Sequence, residues 1–319
     1  MSVLVDVTLT TKPPPALRQR WLQVVAITVG AVALYVVARR LPTGTNLSHM
    51  DFRAGAGSIE FCDPANPQFM PVVAVRSPVE LKLLSSAPAV VRQRVGIDLS
   101  LRTSTGKPVG PADLLEVHTQ KLHLLIVDPT LTDYQHIHPL PGKGPGEWKF
   151  EFTPRQTGTY RVFADFTPAA TTRGLYASAD LEVQTPAAGA EPPVTGNVAS
   201  SNWVYEKQGY RFFLAASTGQ ICEGKQVDLT FVVSRVDKGL VPMQPVMGAY
   251  AHLVAFDAAR SGFAHLHPNE TDLARVPNPT LPQLTFKLTI PRAGRYVIWA
   301  QVNLGGQELF APFWFEVLP

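Results

Sequence analysis

The chain contains one 17-residue pattern twice, as "HLLIVDPTLTDYQHIHP" at residues 123–139 and as "HLVAFDAARSGFAHLHP" at residues 252–268. Each copy opens with a histidine on a short apolar run and ends with two histidines, one residue apart, before a proline. Apolar runs of this length are typical of strands that are buried on both faces. The pattern therefore predicts a pair of β-strands in each copy, with histidines at matching places.

The similarity between the two copies extends beyond these strands. A shift of 129 or 130 residues aligns residues 83–102 with residues 213–232, and "FEFTPRQTGTY" aligns with "FKLTIPRAGRY" after an insertion in the second copy. The repeats run from about residue 79 to 184 and from about residue 209 to 319, and each reads as six or seven short strands separated by turns. The chain is therefore predicted to be a duplication of one β-rich domain.

Composition agrees with this architecture. The 319 residues are enough for two domains, and 23 glycines with 29 prolines favour many strands and turns over long helices. We predict an all-β fold: two tandem immunoglobulin-like β-sandwich domains after one N-terminal transmembrane helix. The net charge of +3 and the lack of a dense Lys/Arg stripe argue against a nucleic-acid partner.

One helix is predicted, at residues 21–38, "WLQVVAITVGAVALYVVA". A helix of 18 residues without a charge spans roughly 27 Å, close to the hydrocarbon thickness of a bilayer. Arginine pairs flank it on both sides. We expect an uncleaved single-pass anchor in the cell membrane, with the bulk of the chain extracytoplasmic (periplasmic). A cleaved signal peptide and a buried core helix are the alternatives.

These patterns divide the whole chain. The predicted parts are a cytoplasmic segment (1–20), the transmembrane helix (21–38), a tether (39–58), the first sandwich with an N-terminal extension (59–184), a linker (185–200) and the second sandwich (201–319). We expect residues 59–78 to add an edge strand to the first domain. Cys62 and Cys222 leave both a disulfide and two separate thiols open.

Six of the eight histidines have the spacing H-x12-H-x-H in the two copies. They are His123, His136 and His138 in the first copy and His252, His265 and His267 in the second. Residues i and i+2 of a strand point to the same face, and a hairpin with an even-numbered loop places the first histidine opposite the last. We therefore predict that three imidazoles converge in each repeat, within reach of one metal ion.

A fourth candidate ligand precedes each triplet by five residues: His118 in the first copy and Met247 in the second. Exchange of imidazole for thioether suits copper, because methionine is a soft ligand favoured by Cu(I) and imidazole binds both oxidation states. All eight residues are candidate metal ligands. The alternative is that the histidines are structural residues copied by the duplication and that the methionine fills a core.

An N-terminal anchor followed by sandwiches that carry the two quoted stretches resembles the bacterial envelope proteins of the YtkA-like and FixH-like group. The resemblance implies an extracytoplasmic location and a role in copper handling or oxidase maturation. It implies no ligand set for the eight residues.

We therefore expect a membrane-anchored extracytoplasmic protein that binds copper at one histidine cluster per repeat, for storage, delivery or sensing, and that meets a protein partner in the envelope. The chief alternative is a non-catalytic interaction module of an envelope complex, in which the histidines only pack the hairpin. An enzyme ranks third, because the chain carries no nucleophile elbow, P-loop, HExxH motif or dinucleotide fingerprint.

Overall fold

The computed structural model describes residues 17–40, 47–53, 68–185 and 201–319. Its long helix, α1, covers Leu17–Arg40, and the stretch Gln19–Val37 is long and apolar enough to cross a membrane. The predicted N-terminal helix is thus confirmed as a helix. Cys62 and most of the predicted cytoplasmic segment, tether and linker lie outside the described residues.

All other long elements are strands. In the first repeat they are β1 (Val79–Ser85), β2 (Ala89–Val90), β3 (Val95–Thr103), β4 (Leu114–Leu115), β5 (Leu122–Val127), β6 (Tyr134–Ile137), β7 (Leu140–Pro141), β8 (Glu147–Phe152), β9 (Gly158–Pro168) and β10 (Leu175–Gln184). In the second they are β11 (Val204–Lys207), β12 (Tyr210–Ala216), β13 (Ile221–Cys222), β14 (Gln226–Arg235), β15 (Met243–Gln244), β16 (His252–Asp257), β17 (Phe263–Leu266), β18 (Gln283–Thr289), β19 (Gly294–Leu304) and β20 (Gln307–Leu318). Short 3₁₀ helices cover His49–Phe52 and Pro111–Asp113.

The two repeats share a core topology and differ at one edge strand, which is β7 beside β8 in the first and β11 beside β12 in the second. The first stacks a β1-β3-β8-β7 sheet on a β2-β10-β9-β5-β6 sheet, with β4 beside β9. The second stacks a β11-β12-β14-β18 sheet on a β13-β20-β19-β16-β17 sheet, with β15 beside β19. The predicted all-β duplication is confirmed. The sequence does not predict the two-residue strands, because they are too short to show an alternation of apolar and polar residues.

Every second residue of a strand points into the core of its sandwich. In β3, Val95, Ile97, Leu99 and Leu101 point into the first core, while the residues between them are more exposed. The equivalent strand β14 supplies Val227, Leu229, Phe231 and Val233 to the second core. A period of two residues is what places one side of a strand in the core.

The two repeats pack on each other through the β2-β10-β9-β5-β6 and β13-β20-β19-β16-β17 sheets. A third apolar cluster lies between them, and much of it comes from matching positions. Leu125 and Val127 on β5 correspond to Val254 and Phe256 on β16, and Tyr134 corresponds to Phe263. This is why β5 and β16 are buried along almost their whole length: one face meets its own sandwich, and the other meets the other repeat.

The segment before β1 joins the second repeat. Phe69 lies in the second core, and its backbone N–H donates to the carbonyl of Thr289 at 3.0 Å. Met70 and Phe263 exchange backbone hydrogen bonds of 2.7 and 3.1 Å. The expectation that this segment adds an edge strand to the first domain is therefore wrong for residues 68–70. A pattern confined to one segment does not reveal which repeat it pairs with.

Candidate metal centre

The histidines of the first repeat lie on the hairpin formed by β5 and β6. Leu125 pairs with His136 and Leu124 with Ile137. The same register places His123 opposite His138, as the sequence predicts. His123, His136 and His138 each offer one nitrogen, and these three atoms all lie within 4.8 Å of one another.

A capped loop fixes the register of this hairpin. The backbone N–H of Asp128 donates to the carbonyl of Asp133 at 3.2 Å, which leaves the four-residue loop 129–132. The Asp128 carboxylate accepts from the backbone N–H groups of Thr130 and Asp133, both at 2.8 Å. Asp257 holds the second loop through Ser261 in the same way, at 2.7 Å. Both aspartates are turn residues and do not contact the imidazoles.

The hydrogen bonds of the first triad fix which nitrogens carry protons. His123 places Nε2 3.0 Å from the carbonyl of Val117, and His136 places Nδ1 2.9 Å from Oε1 of Gln301. Carbonyl oxygens only accept, so these nitrogens are the protonated ones. His123 Nδ1 and His136 Nε2 then carry no proton. They lie 3.1 Å apart, although neither can donate a hydrogen bond to the other.

His138 reaches the same nitrogen of His123. Its Nε2 lies 3.1 Å from the bare Nδ1 of His123. Three ligand nitrogens about 2.0 Å from one metal ion lie roughly 3.3 to 3.5 Å from each other. Two of the three nitrogen pairs in the first triad, at 3.1 Å, are therefore close to the spacing that a single metal ion requires.

The second triad leaves its inner nitrogens without partners. His252 donates from Nε2 to the carbonyl of Val246 at 2.9 Å, and His265 pairs through Nδ1 with Asp165 at 3.1 Å. The remaining ring nitrogens, His252 Nδ1 and His265 Nε2, are buried and have no hydrogen-bond partner, and the same is true of His267 Nε2. Buried polar atoms normally find partners. Each of the three rings offers one nitrogen within 4.8 Å of the other two, which fits one metal ion.

Each triad is supported by the other repeat. Asp165 on β9 lies opposite His123 in the sheet but pairs with His265 of the second repeat. Gln301 on β19 lies opposite His252 but accepts from His136 of the first repeat. Gln301 is oriented by its own amide, which donates to Glu308 at 2.8 Å.

Sequence reasoning did not find Asp165 and Gln301. Both lie seven residues after the aligned glycines Gly158 and Gly294, as single polar residues in the apolar stretches "VFADF" and "IWAQV". That signal was present, but its meaning depends on contacts between the repeats.

His118 and Met247 sit at the same place in two equivalent turns. Backbone φ angles are positive at His118 (51°) and Thr119 (66°), and also at Met247 (49°) and Gly248 (75°). Two consecutive left-handed residues make a type I′ turn, and non-glycine residues adopt this conformation at a cost. The turn carbonyls of Val117 and Val246 are the ones that accept from His123 and His252.

The structure changes the assignment of His118. Its ring stacks on His267 of the second repeat with centroids 3.7 Å apart, whereas the His123 ring lies at 6.4 Å. His118 was expected to complete the triad of its own repeat. It lies instead against the triad of the other repeat, because the turn projects across the interface. Met247 is half-buried.

Burial makes these imidazoles neutral. Desolvation lowers the pKa of His138 and His252 to about 4. Desolvation, followed by repulsion among the rings, holds the pKa of His136, His265 and His267 well below its ordinary value. Burial also raises the pKa of Asp165. Neutral imidazole is the form that binds a metal, so the cluster is ready to bind at neutral pH.

A cleft of about 1070 Å³ reaches the cluster from the surface. His118, His123, His265 and His267 contribute to its lining, together with Asp165. Lys121 and Lys287 also line it. The cleft gives an ion or a small ligand a path to the second triad and to His123 of the first.

Comparison with known proteins places the chain in a family. The family model of a domain of unknown function, DUF8832, matches residues 76–184 and again residues 205–318. The chain belongs to this family. The double match agrees with the duplication, and it identifies neither the YtkA-like nor the FixH-like group.

Solved structures show only distant likeness. A structure from Corynebacterium diphtheriae, described as a membrane anchored protein, is 10% identical with a TM-score of 0.22, and the alignment covers 76% of this chain and 59% of that one. The fibronectin(III)-like modules of CbhA from Clostridium thermocellum are 8% identical with a TM-score of 0.19, over 75% of this chain and 94% of that one. No curated protein matches the chain. The chain thus spans less than two thirds of the first of these structures.

Proposed function

We propose that this DUF8832 protein is a membrane-anchored, extracytoplasmic copper-binding protein with one histidine site per repeat, acting in metal storage, delivery or sensing. The observation that carries the proposal concerns the inner nitrogens, which are the ring nitrogens that face into each triad. In each triad two rings use their outer nitrogens on fixed acceptors. The inner nitrogens of His123 and His136 then face each other without a proton between them, and those of the second triad have no partner. Histidines that only pack a hairpin would be expected to use these nitrogens in hydrogen bonds.

Copper is favoured over zinc by the residues around the triads. Both ions bind imidazole, and zinc sites usually add cysteine, histidine, a carboxylate or water. Here the equivalent turns carry a histidine and a methionine, His118 and Met247. A thioether suits Cu(I) and is uncommon for zinc.

The membrane location is supported by α1. The stretch Gln19–Val37 can cross a bilayer by length and composition. The sequence Ala38-Arg39-Arg40 at its end does not resemble a small-residue cleavage site, so we propose an uncleaved anchor with both sandwiches outside the cytoplasm.

Calorimetric titration of the full chain in detergent tests the proposal, with Cu(I), Cu(II) and Zn(II) as separate titrants. Binding of two copper ions per chain is expected, and both should be lost when His136, His138, His265 and His267 are all replaced by alanine. His49→Ala is the matched control, because His49 lies in the short helix His49–Phe52 and outside both clusters. Failure of the wild-type chain to bind copper, or binding that survives the fourfold replacement, would refute the proposal. A preference for Zn(II) would refute its copper assignment.

A further inference from the structure

The two triads form one continuous cluster of rings. His136 and His265 occupy equivalent positions in the two repeats, and their centroids lie 5.4 Å apart across the interface. The His123 and His265 rings are 5.9 Å apart, and those of His136 and His252 are 6.4 Å apart. An ion in one triad would therefore lie close to the other triad.

The side chains that orient the equivalent rings of His136 and His265 differ in charge. His265 of the second triad is oriented by a carboxylate, Asp165, and His136 of the first is oriented by a neutral amide, Gln301. A carboxylate behind a ligand imidazole raises its basicity and strengthens binding of a more highly charged ion, and removing such a partner typically weakens metal affinity by about 10- to 100-fold. The second triad is thus the better site for a divalent ion.

The two equivalent turns at the interface also carry different side chains. His118 from the first repeat lies on His267 of the second triad, at 3.7 Å between centroids. The two turns meet at the interface, since a Cβ added to Gly248 would lie 3.9 Å from Cγ2 of Thr119. Met247 is half-buried in the equivalent turn, and the duplication predicts that it faces the first triad in the corresponding way. An imidazole thus accompanies the second triad, and the duplication predicts a thioether beside the first.

From these contacts, and resting on the proposed function, we infer that the protein holds one asymmetric two-metal centre in which each repeat completes the site of the other. The second triad, with His118 and Asp165, is the Cu(II) site. The first triad, with Met247 and Gln301, is the Cu(I) site. The two sites differ because Asp is exchanged for Gln, and His for Met, at equivalent positions of the two repeats.

Paired variants of the full chain in detergent test this inference. Each site is read separately, with the other removed by alanine at His136 and His138 or at His265 and His267. Electron paramagnetic resonance follows Cu(II), and competition with a colorimetric chelator follows Cu(I). Asp165→Asn should weaken Cu(II) binding at the second triad by about 10- to 100-fold and change Cu(I) binding at the first by less than about threefold.

Further variants exchange or remove residues at equivalent positions of the two repeats. Exchanging the two supports, as Asp165→Gln with Gln301→Asp, should move the stronger Cu(II) site to the first triad. Met247→Leu should weaken only Cu(I) at the first triad, and His118→Ala only Cu(II) at the second. Circular dichroism melting identifies any variant that has not folded, and the remaining variants then decide.

Two failures can be told apart. If two copper ions bind with equal preference and none of these variants shifts either one, the asymmetric centre is refuted while the proposed function stands. If the wild-type chain binds no copper, the proposed function itself fails.

Discussion

At the scale of single residues, two tyrosines in equivalent positions have different partners. The Tyr160 hydroxyl donates to the buried Asp133 carboxylate at 2.7 Å and accepts from the backbone N–H of Gln156 at 2.8 Å. The Tyr296 hydroxyl donates to the carbonyl of Arg292 at 3.0 Å. Both tyrosines follow a glycine by two residues and resemble the tyrosine corner of sandwich folds.

Removing these hydroxyls should have unequal effects. Tyr160→Phe leaves a buried carboxylate short of a donor and should lower the free energy of unfolding by about 1 to 3 kcal/mol. Tyr296→Phe, the matched control, should lower it by about 1 kcal/mol. Urea unfolding followed by circular dichroism measures both changes. A larger loss for Tyr296→Phe would contradict the assigned network.

The pKa values of the histidines predict how the metal-free protein responds to acid. The folded pKa of His252 is about 4, whereas an unfolded histidine titrates near 6.5, so the unfolded chain takes up protons first as the pH falls. The free energy of unfolding should therefore decrease between pH 6.5 and 4, by about 3 kcal/mol from His252 alone.

A variant isolates this contribution. Burial raises the pKa of Asp133 and Asp165, and these groups act in the opposite direction over part of the range. His252→Leu should flatten the pH dependence relative to the wild-type chain in urea unfolding at several pH values. Equal slopes in the two proteins would show that His252 does not titrate as described.

At the scale of elements, one glycine permits the contact between the N-terminal segment and β17. A Cβ at Gly262 would lie 1.7 Å from the carbonyl oxygen of Met70. That distance is far below contact, so any side chain there must displace the segment 68–70. The segment carries Phe69, which is only 5% exposed in the second core.

Gly262→Ala should release this segment. We expect faster backbone amide exchange at Phe69 and Met70 and a loss of stability of about 1 to 3 kcal/mol. Gly96→Ala is the control, because nothing lies within 4 Å of a Cβ at that exposed strand position. Unchanged exchange at residues 69 and 70 in the Gly262 variant would contradict the packing.

The elements also show what sequence could and could not predict. The hairpin register followed from the i, i+2 spacing and the even-numbered loop, so the convergence of His123, His136 and His138 was predictable and is confirmed. Asp165, Gln301 and the direction of His118 were not predictable. They depend on how two sheets pack face to face, and a repeat in the sequence gives no information on the contacts between its copies.

At the scale of the whole molecule, the apolar cluster between the sheets holds the two triads together. Trp299 on β19 is 6% exposed, and its ring N–H donates to the carbonyl of Leu131 in the other repeat at 3.3 Å. Arg161 donates across the same interface to the carbonyl of Arg260 at 3.0 Å. The centre therefore depends on an interface that neither repeat can form alone.

Trp299→Ala should weaken the coupling between repeats. We expect a loss of about 3 to 5 kcal/mol and a thermal transition that broadens or splits. Phe231→Ala is the control, because Phe231 lies inside the second core and should destabilise that sandwich without separating the repeats. Calorimetric melting distinguishes the two patterns, and a single sharp transition for Trp299→Ala would argue against an interface of this importance.

The most direct test of the central claim counts copper ions per chain. The full chain in detergent is saturated with copper, separated from free metal by gel filtration and analysed by mass spectrometry. We predict two ions in the wild-type chain, one after His136→Ala with His138→Ala, one after His265→Ala with His267→Ala, and none when all four changes are combined. A count that stays the same in all four proteins, or a wild-type count near zero, would contradict the claim that the converging histidines are metal ligands.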